Sequence, residues 1–252
     1  MRIRRERDVE NLWDGRASAD VEVCESSMRI ICDFDGTITQ QDTTDWVLEA
    51  LADPAWRELE SDWVAGEISA AQCMRRQVAL IGGSQEDLHA ALDSVRLDPG
   101  FIDFLAWAGG HRFPVSIVSD GVDYFIDRIL ARHGISDIQT VVANQLSGQA
   151  GEWGLEQPWS RPGGAARSGV CKCDAAGAAP DGVATTVFVG DGRSDFCVSA
   201  RADLLFAKGA LADYAASRDQ AYIPFETFHD VRSALALLVG DAPVAARQIL
   251  AV

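Results

Sequence analysis

The sequence predicts an α/β protein: a mostly parallel sheet with helices on both faces, and a small helical module inserted after the first strand. Three observations carry this. Short apolar runs alternate with helical stretches from residue 99 to residue 239, the pattern of a chain that builds a parallel sheet. The run at residues 29–34 is apolar and ends in a polar loop, as a buried strand does when it delivers side chains at its carboxyl end. Residues 42–96 repeat at helical spacing and contain no strand-like run. A length of 252 residues suits one large domain or one domain with an insert. A composition 48% hydrophobic and 24% charged excludes bulk disorder.

Taken in order, residues 1–27 carry twelve charged side chains and no clear period. They read as a poorly ordered extension, or as residues ahead of a start at Met28. Arg29-Ile30-Ile31-Cys32-Asp33-Phe34 is the first strand, with Asp35-Gly36-Thr37 as its loop. Three or four short helices follow. Met74, Val78 and Ile81 recur at helical spacing around Arg75, Arg76 and Gln77. Pro54 fits a helix start, Gly82-Gly83 a stop, and Ser84 an N-cap with Asp87 three residues on. A helix is predicted over 99–110, a strand over 113–118, a helix over 122–133 closed by Gly134, and a strand over 138–143. Residues 144–184 are irregular and rich in Gly, Ala and Pro, with a hairpin around Trp153. A strand at 185–189, a helix at 194–201, a strand at 204–207, a helix at 209–217, a short strand at 222–225 and a helix at 226–239 complete the chain.

The charge balance is 22 basic against 38 acidic residues, a net −16. Such a surface repels nucleic acid and anionic membrane but permits one local anion pocket. No apolar run approaches the ~18 residues of a membrane span, and the Arg-rich opening lacks the apolar stretch of a signal peptide. The reading is a cytoplasmic protein with no nucleic-acid or membrane partner, and a homodimer is left open. The six cysteines (24, 32, 73, 171, 173 and 197) are scattered and read as thiols.

In a parallel sheet, ligands bind beyond the carboxyl ends of the strands. Asp33, Asp35 and Thr37 follow the first strand, Ser119, Asp120 and Gly121 the 113–118 strand, and Asp191, Ser194 and Asp195 the 185–189 strand. Lys172 lies in the irregular stretch before that last strand. Packed carboxylates need a neutralising cation, and an oxygen-only ligand set suits Mg²⁺. A hydroxyl at Ser119, free amides at Gly36 and Gly121, and one lysine suit a phosphate dianion. Together they describe a phosphoryl-transfer site.

Asp33-Phe34-Asp35-Gly36-Thr37-Ile38-Thr39 resembles the first motif of the haloacid dehalogenase superfamily. Ser119-Asp120-Gly121, Lys172 and Gly190-Asp191-Gly192-Arg193-Ser194-Asp195 follow in the family's order, and the resemblance runs from about 29 to 240. It implies a Rossmann-like α/β core over 28–40 and 98–252 with a helical cap over 41–97. It also implies a Mg²⁺-dependent phosphatase of a small phosphomonoester. Asp33 then resembles the nucleophile that forms an aspartyl-phosphate, and Asp35 the general acid/base. Thr37, Ser119, Asp120, Gly121 and Lys172 resemble the phosphate-binding groups. The metal set is Asp33, the Asp35 carbonyl and Asp191, with Asp195 in an outer shell. The resemblance further implies that a dehalogenase would lack the second carboxylate and Mg²⁺, so Asp35 favours phosphatase chemistry.

The inserted module resembles that of the phosphoserine-phosphatase-like branch. Gly169-Val170-Cys171-Lys172, Phe206-Ala207-Lys208 and residues 222–228 resemble a methionine-salvage phosphatase subgroup of it. Other members of the branch act on phosphoserine, phosphocholine, phosphoethanolamine or pyridoxal phosphate. Asp42 stands where the resemblance to phosphoserine phosphatases implies a glutamate holding the substrate amine, and it counts against phosphoserine.

Each piece has a plainer reading alone. Asp33 and Asp35 are also a solvated turn, Ser119-Asp120-Gly121 a common turn, and Asp191 with Asp195 a helix cap and first-turn acid. Arg75 and Arg76 fit a solvated helix face, and the tryptophans at 46, 56 and 63 fit packing inside the module. Cys32 and Cys197 read as small buried apolar groups, and none of the four histidines reads as catalytic. Two rival classes are a signalling receiver domain, whose nucleophile would follow a central strand and whose chain would be far shorter, and a non-catalytic phospho-ligand binding module, which would lack the nucleophile or the acid. A phosphotransferase or mutase would keep the same scaffold.

Overall fold

Seven strands make one sheet: β1 (Met28–Cys32), β2 (Val115–Val122), β3 (Thr140–Gln149), β4 (Glu152–Glu156), β5 (Thr185–Gly190), β6 (Leu204–Ala207) and β7 (Ile223–Pro224). The computed structural model describes residues 28–161, 167–177, 183 and 185–241. The extension expected over 1–27, with Cys24, lies outside the described residues. The order across the sheet is β4-β3-β2-β1-β5-β6-β7. All neighbours run parallel except the β3–β4 pair. β1 is central: Ile30 sits beside Val115 of β2 and Val187 of β5.

Successive side chains of β1 point to opposite faces, and both faces are covered. Ile30 and Cys32 join Val115, Ile117, Val187 and Val189 under helices α5 (Phe101–Gly110), α6 (Asp123–Arg132) and α10 (Phe228–Leu238). Ile31 joins Val118, Phe188 and Leu205 under the short α7 (Lys172–Ala175) and α8 (Phe196–Ser199) and under α9 (Gly209–Ser217). Phe101, Phe104 and Phe228 are wholly buried where α5 crosses α10, with Phe228 4.9 Å from each of the other two ring centres. Each such ring contributes about 1.5–3 kcal/mol by leaving water.

The chain leaves the sheet after β1 and returns before α5 through two neighbouring segments. They bridge antiparallel at Thr39 and Leu97. The Gln40 amide donates to the Arg96 carbonyl at 2.9 Å, and the Asp98 amide to the Ile38 carbonyl at 2.8 Å. Between them lie α1 (Thr43–Leu51), α2 (Trp56–Val64), α3 (Ala70–Val78) and α4 (Gln85–Asp93). Ser84 caps α4 in the expected capping box with Asp87, and Asp42 caps α1. This helical module touches the sheet domain on two sides. Arg128 of α6 grips Asp93 of α4 through two bonds of 2.8 and 2.7 Å. On the other side, Gln157 beyond β4 donates to the Ala71 carbonyl at 3.1 Å and accepts from Arg75. Arg75 is therefore exposed, as expected, yet engaged.

Several boundaries differ from the sequence expectation. β2 continues through Ser119, Asp120 and Gly121 with a shift of register between Val118 and Val122, so those residues form the strand's irregular end rather than a loop. β3 runs to Gln149 because β4 folds back on it with Gln149 opposite Glu152, a two-residue hairpin turn that confirms the hairpin at Trp153. The helix expected at 194–201 is a 3-10 turn at Arg193–Asp195 followed by α8.

Candidate active site

Asp33 is the first residue after β1, and its amide donates to the Val189 carbonyl of β5 at 2.9 Å. That bond aligns the ends of two neighbouring strands, so the loops following them converge. Carboxylate oxygens of Asp33, Asp191 and Asp195 lie within 4.8 Å of one another. The Lys172 ammonium, wholly buried at the start of α7, stands 2.6 Å from Asp33 Oδ1 and 2.6 Å from Asp195 Oδ1.

Each carboxylate is held differently. Asp195 Oδ2 accepts from the amides of Asp191 and Gly192 at 3.1 and 3.0 Å, so both of its oxygens are taken by protein donors. Asp33 Oδ1 also accepts from the Phe34 amide at 2.8 Å, and Asp191 Oδ1 accepts from the Thr37 hydroxyl at 2.6 Å. The second oxygens of Asp33 and Asp191 have no hydrogen-bond donor among the described residues. Gly36, at φ +69°, turns the loop so closely over Asp191 that a Cβ there would lie 2.6 Å from its Oδ2, which restricts the position to glycine.

Asp35 points the other way, toward the helical module. Its Oδ1 accepts the Thr43 amide at 2.9 Å and the Thr43 hydroxyl, tying the acid to the first turn of α1. Its Oδ2 fits against Gly121, where a Cβ would meet it at 2.3 Å. Ser119 is wholly buried and accepts the Gly121 amide at 2.9 Å. Its own proton is left for another acceptor. The amides of Gly36 and Gly121, expected to be free, are therefore both committed, Gly36 to the Gln41 carbonyl at 3.3 Å. Asp120 accepts the Val170 amide at 2.8 Å and so pins the segment leading to Lys172 onto β2.

Above these groups opens a cavity of about 610 Å³ lined by Asp33, Asp35, Ser119, Asp120, Gly121 and Asp191. Thr37 and Lys172 are absent from its wall, supporting it from behind. The module supplies the opposite wall, including Asp42, Thr44, Glu60, Trp63, Met74 and Gln77. Of the tryptophans, Trp56 packs in the core, Trp46 is at the surface bonded to Ser94, and Trp63 faces the cavity, against the expectation of packing alone. None of the four histidines lines it. Cys197 is only half-buried, so it is not the enclosed apolar group expected. All cysteines among the described residues are thiols.

Burial, then the Asp195 charge, push the Asp33 carboxyl well above the ordinary aspartate range, with Lys172 opposing. Burial and Asp195 likewise raise Asp191, against its bond from Thr37. Burial disfavours the Lys172 ammonium, but Asp195 and Asp33 outweigh it and hold it above its usual value. Burial and the neighbouring Asp42 lift Asp35 to about 7. Three carboxylates facing one ammonium leave the cluster short of positive charge. The two carboxylate oxygens without a donor among the described residues are hard ligands of the kind a divalent cation takes.

This fold and site define an enzyme of the phosphatase class. Residues 30–199 match the haloacid dehalogenase-like hydrolase family, and the chain belongs to that family. It is 28% identical over 208 residues to the 2-hydroxy-3-keto-5-methylthiopentenyl-1-phosphate phosphatase of an Exiguobacterium species, covering 81% of this chain and 95% of the relative. It is 30% identical over 207 residues to the enzyme of the same name from Geobacillus thermodenitrificans, covering 80% and 92%. Among solved structures, a substrate-bound phosphoserine phosphatase aligns with a TM-score of 0.60 at 20% identity, over 82% of this chain and 96% of that one. No helix among the described residues is long and apolar enough to cross a membrane.

Sequence reasoning missed Thr43, Thr44, Glu60 and Gln77. The doublet Thr43-Thr44 directly after the N-cap Asp42 was the available signal for the first two.

Proposed function

We propose that the protein is a Mg²⁺-dependent phosphomonoesterase of a small phosphorylated metabolite, working through an aspartyl-phosphate on Asp33. The observation that carries the reading is the group of three carboxylates within 4.8 Å, two of them bridged by Lys172, placed under a cavity that also holds Asp35. Residues 28–40 and 98–252 form the catalytic core in this reading, and residues 41–97 a cap that encloses the substrate and excludes water. The ester named for the two curated relatives is the first substrate to test.

Asp33 attacks phosphorus and the alcohol leaves, which divides one difficult displacement into two easier ones. Asp35 gives its proton to the departing alkoxide and later takes one from the attacking water. Ser119 donates its free hydroxyl proton to a phosphate oxygen. Lys172 offsets the charge shared by Asp33 and the phosphoryl group. Thr37 orients Asp191, Asp195 orients Lys172, and Asp120 with Gly121 shapes the phosphate end. Asp33 and Asp191 would hold Mg²⁺, with the Asp35 carbonyl as a further ligand and Asp195 behind them. The ion, when bound, neutralises the phosphate dianion and polarises it for attack.

Phosphate release from a panel of phosphorylated metabolites tests this. EDTA should silence the activity and Mg²⁺ restore it. Mg²⁺ should also raise the thermal midpoint, by about 2.7 kcal/mol of stability at a hundredfold excess over Kd. Indifference of both readouts to chelation removes the metal from the reading.

Asp35→Asn should lower kcat on an alkyl phosphate by about 10²–10⁴-fold. The loss should be smaller on 4-nitrophenyl phosphate, whose leaving group departs without a proton. An equal loss on both esters in steady-state kinetics would count against Asp35 as the acid.

A further inference from the structure

Thr44 occupies the second position of α1 and is 5% exposed. It lines the active-site cavity, and its hydroxyl oxygen is buried with no hydrogen-bond partner among the described residues. A buried hydroxyl left unpaired is costly, and valine would fill the same volume without that cost. Besides Asp42, which caps α1, two further polar groups on this wall are arranged around an acceptor. Gln77 of α3, also 5% exposed, donates to the Glu60 carboxylate of α2 at 3.1 Å, holding it in place beside the cavity it lines. Among the described residues lining the cavity, the one cation is Arg193, which lies on the loop after β5 with the phosphate-end groups and not on the module.

We propose that Thr44 is a substrate-binding residue, its hydroxyl and the Glu60 carboxylate together receiving a hydrogen-bond donor carried by the alcohol portion of the substrate. This rests on the phosphomonoesterase reading and adds the chemical class of the ester to it. The donor is a hydroxyl or an ammonium. A carboxylate at that position would meet Glu60 without a compensating cation. The subsite lies across three module helices, so recognition of the alcohol depends on the module standing over the core.

The test compares glycerol 1-phosphate and phosphoethanolamine with propyl phosphate, which has similar length and no donor. The wild-type protein should prefer both donor-bearing esters in kcat/KM by about tenfold, the value of one well-placed hydrogen bond, and should disfavour phosphoserine. The two donor esters distinguish a hydroxyl from an ammonium as the group received. Thr44→Val should bring the preference close to unity through KM, change the kinetics of the donor-bearing esters far more than those of propyl phosphate and 4-nitrophenyl phosphate, and keep the near-UV circular dichroism of the wild type. Thr44→Ser should restore the preference. Equal loss on all esters, or an unchanged preference, overturns the proposal. A wild-type protein that releases phosphate from none of them instead defeats the phosphatase reading. In that event calorimetric binding of the same esters to Asp33→Asn, with and without Thr44→Val, still decides the role of Thr44.

Discussion

Asp33→Asn should abolish phosphate release while leaving the fold intact. The substitution is isosteric. An amide oxygen in place of Oδ1 still accepts from Lys172 and from the Phe34 amide, now at 2.6 and 2.8 Å from the carboxylate. What disappears is the charge and the nucleophile, and loss of a nucleophile that forms a covalent intermediate lowers kcat by at least about 10⁴-fold. The same change relieves a crowded cluster. Burial and the charges of Asp195 and Asp191 hold the Asp33 carboxyl above its ordinary value, which means its charged form is disfavoured in the folded protein. The neutral variant should therefore melt no lower than the wild type in metal-free buffer, and Mg²⁺ should stabilise it less. Phosphate release by malachite green and scanning calorimetry with and without Mg²⁺ measure both effects. Undiminished turnover would refute Asp33 as the nucleophile, and a large drop in melting temperature would mean that the carboxylate is chiefly structural.

Most of the sheet domain was legible in the sequence, and the reason is local. Buried parallel strands are short, apolar and bounded by polar loops, so residues 29–34, 185–189 and 204–207 announce themselves. The polar residues just past each run mark the carboxyl ends of the strands, and Asp33, Asp35, Asp191 and Asp195 all stand there. The same local rule misplaces Ser119, Asp120 and Gly121. A turn-like tripeptide after Val118 looks like a loop, yet it stays in β2 because Asn144 of β3 holds the Asp120 and Gly121 carbonyls at 2.6 and 3.0 Å. That tie is a long-range contact with no trace in local composition.

The second wall of the cavity was illegible for a related reason. Thr44, Glu60 and Gln77 look like ordinary polar positions on three short amphipathic helices. Only the packing of α1, α2 and α3 against one another turns them toward a common space. Helical spacing reports which face is apolar. It does not report which polar residue beside that face meets a ligand rather than water.

Lys172→Met should produce the other large effect, and on stability as well as turnover. Lys172 is wholly buried, and its ammonium is the cation between Asp33 and Asp195, 2.6 Å from each. Methionine fills much the same volume, so the change removes charge rather than packing. Asp33 and Asp195 then face each other, with Asp191 close by, and breaking a buried ion pair from one side costs about 3–5 kcal/mol. Against a total of about 5–15 kcal/mol, that is a fall of about 10 °C or more in melting temperature for a chain of this size. The deficit should depend on pH with a definite sign. Asp33 already has a folded-state pKa above its unfolded value, and loss of Lys172, which opposes that rise, lifts it further. A group raised in this way binds its proton more readily in the folded chain, so its contribution is fully present below the unfolded value and is lost as pH rises through the folded one. The variant should therefore regain stability relative to the wild type as pH falls below neutrality and the crowded carboxylates protonate. Mg²⁺ should recover part of the loss at neutral pH by supplying the missing positive charge, without restoring turnover. Thermal denaturation of the variant and the wild type from neutral pH downward, with and without Mg²⁺, measures all three effects. Equal melting temperatures at neutral pH would show that the three carboxylates do not depend on Lys172, and with that the electrostatic account of the site would fail.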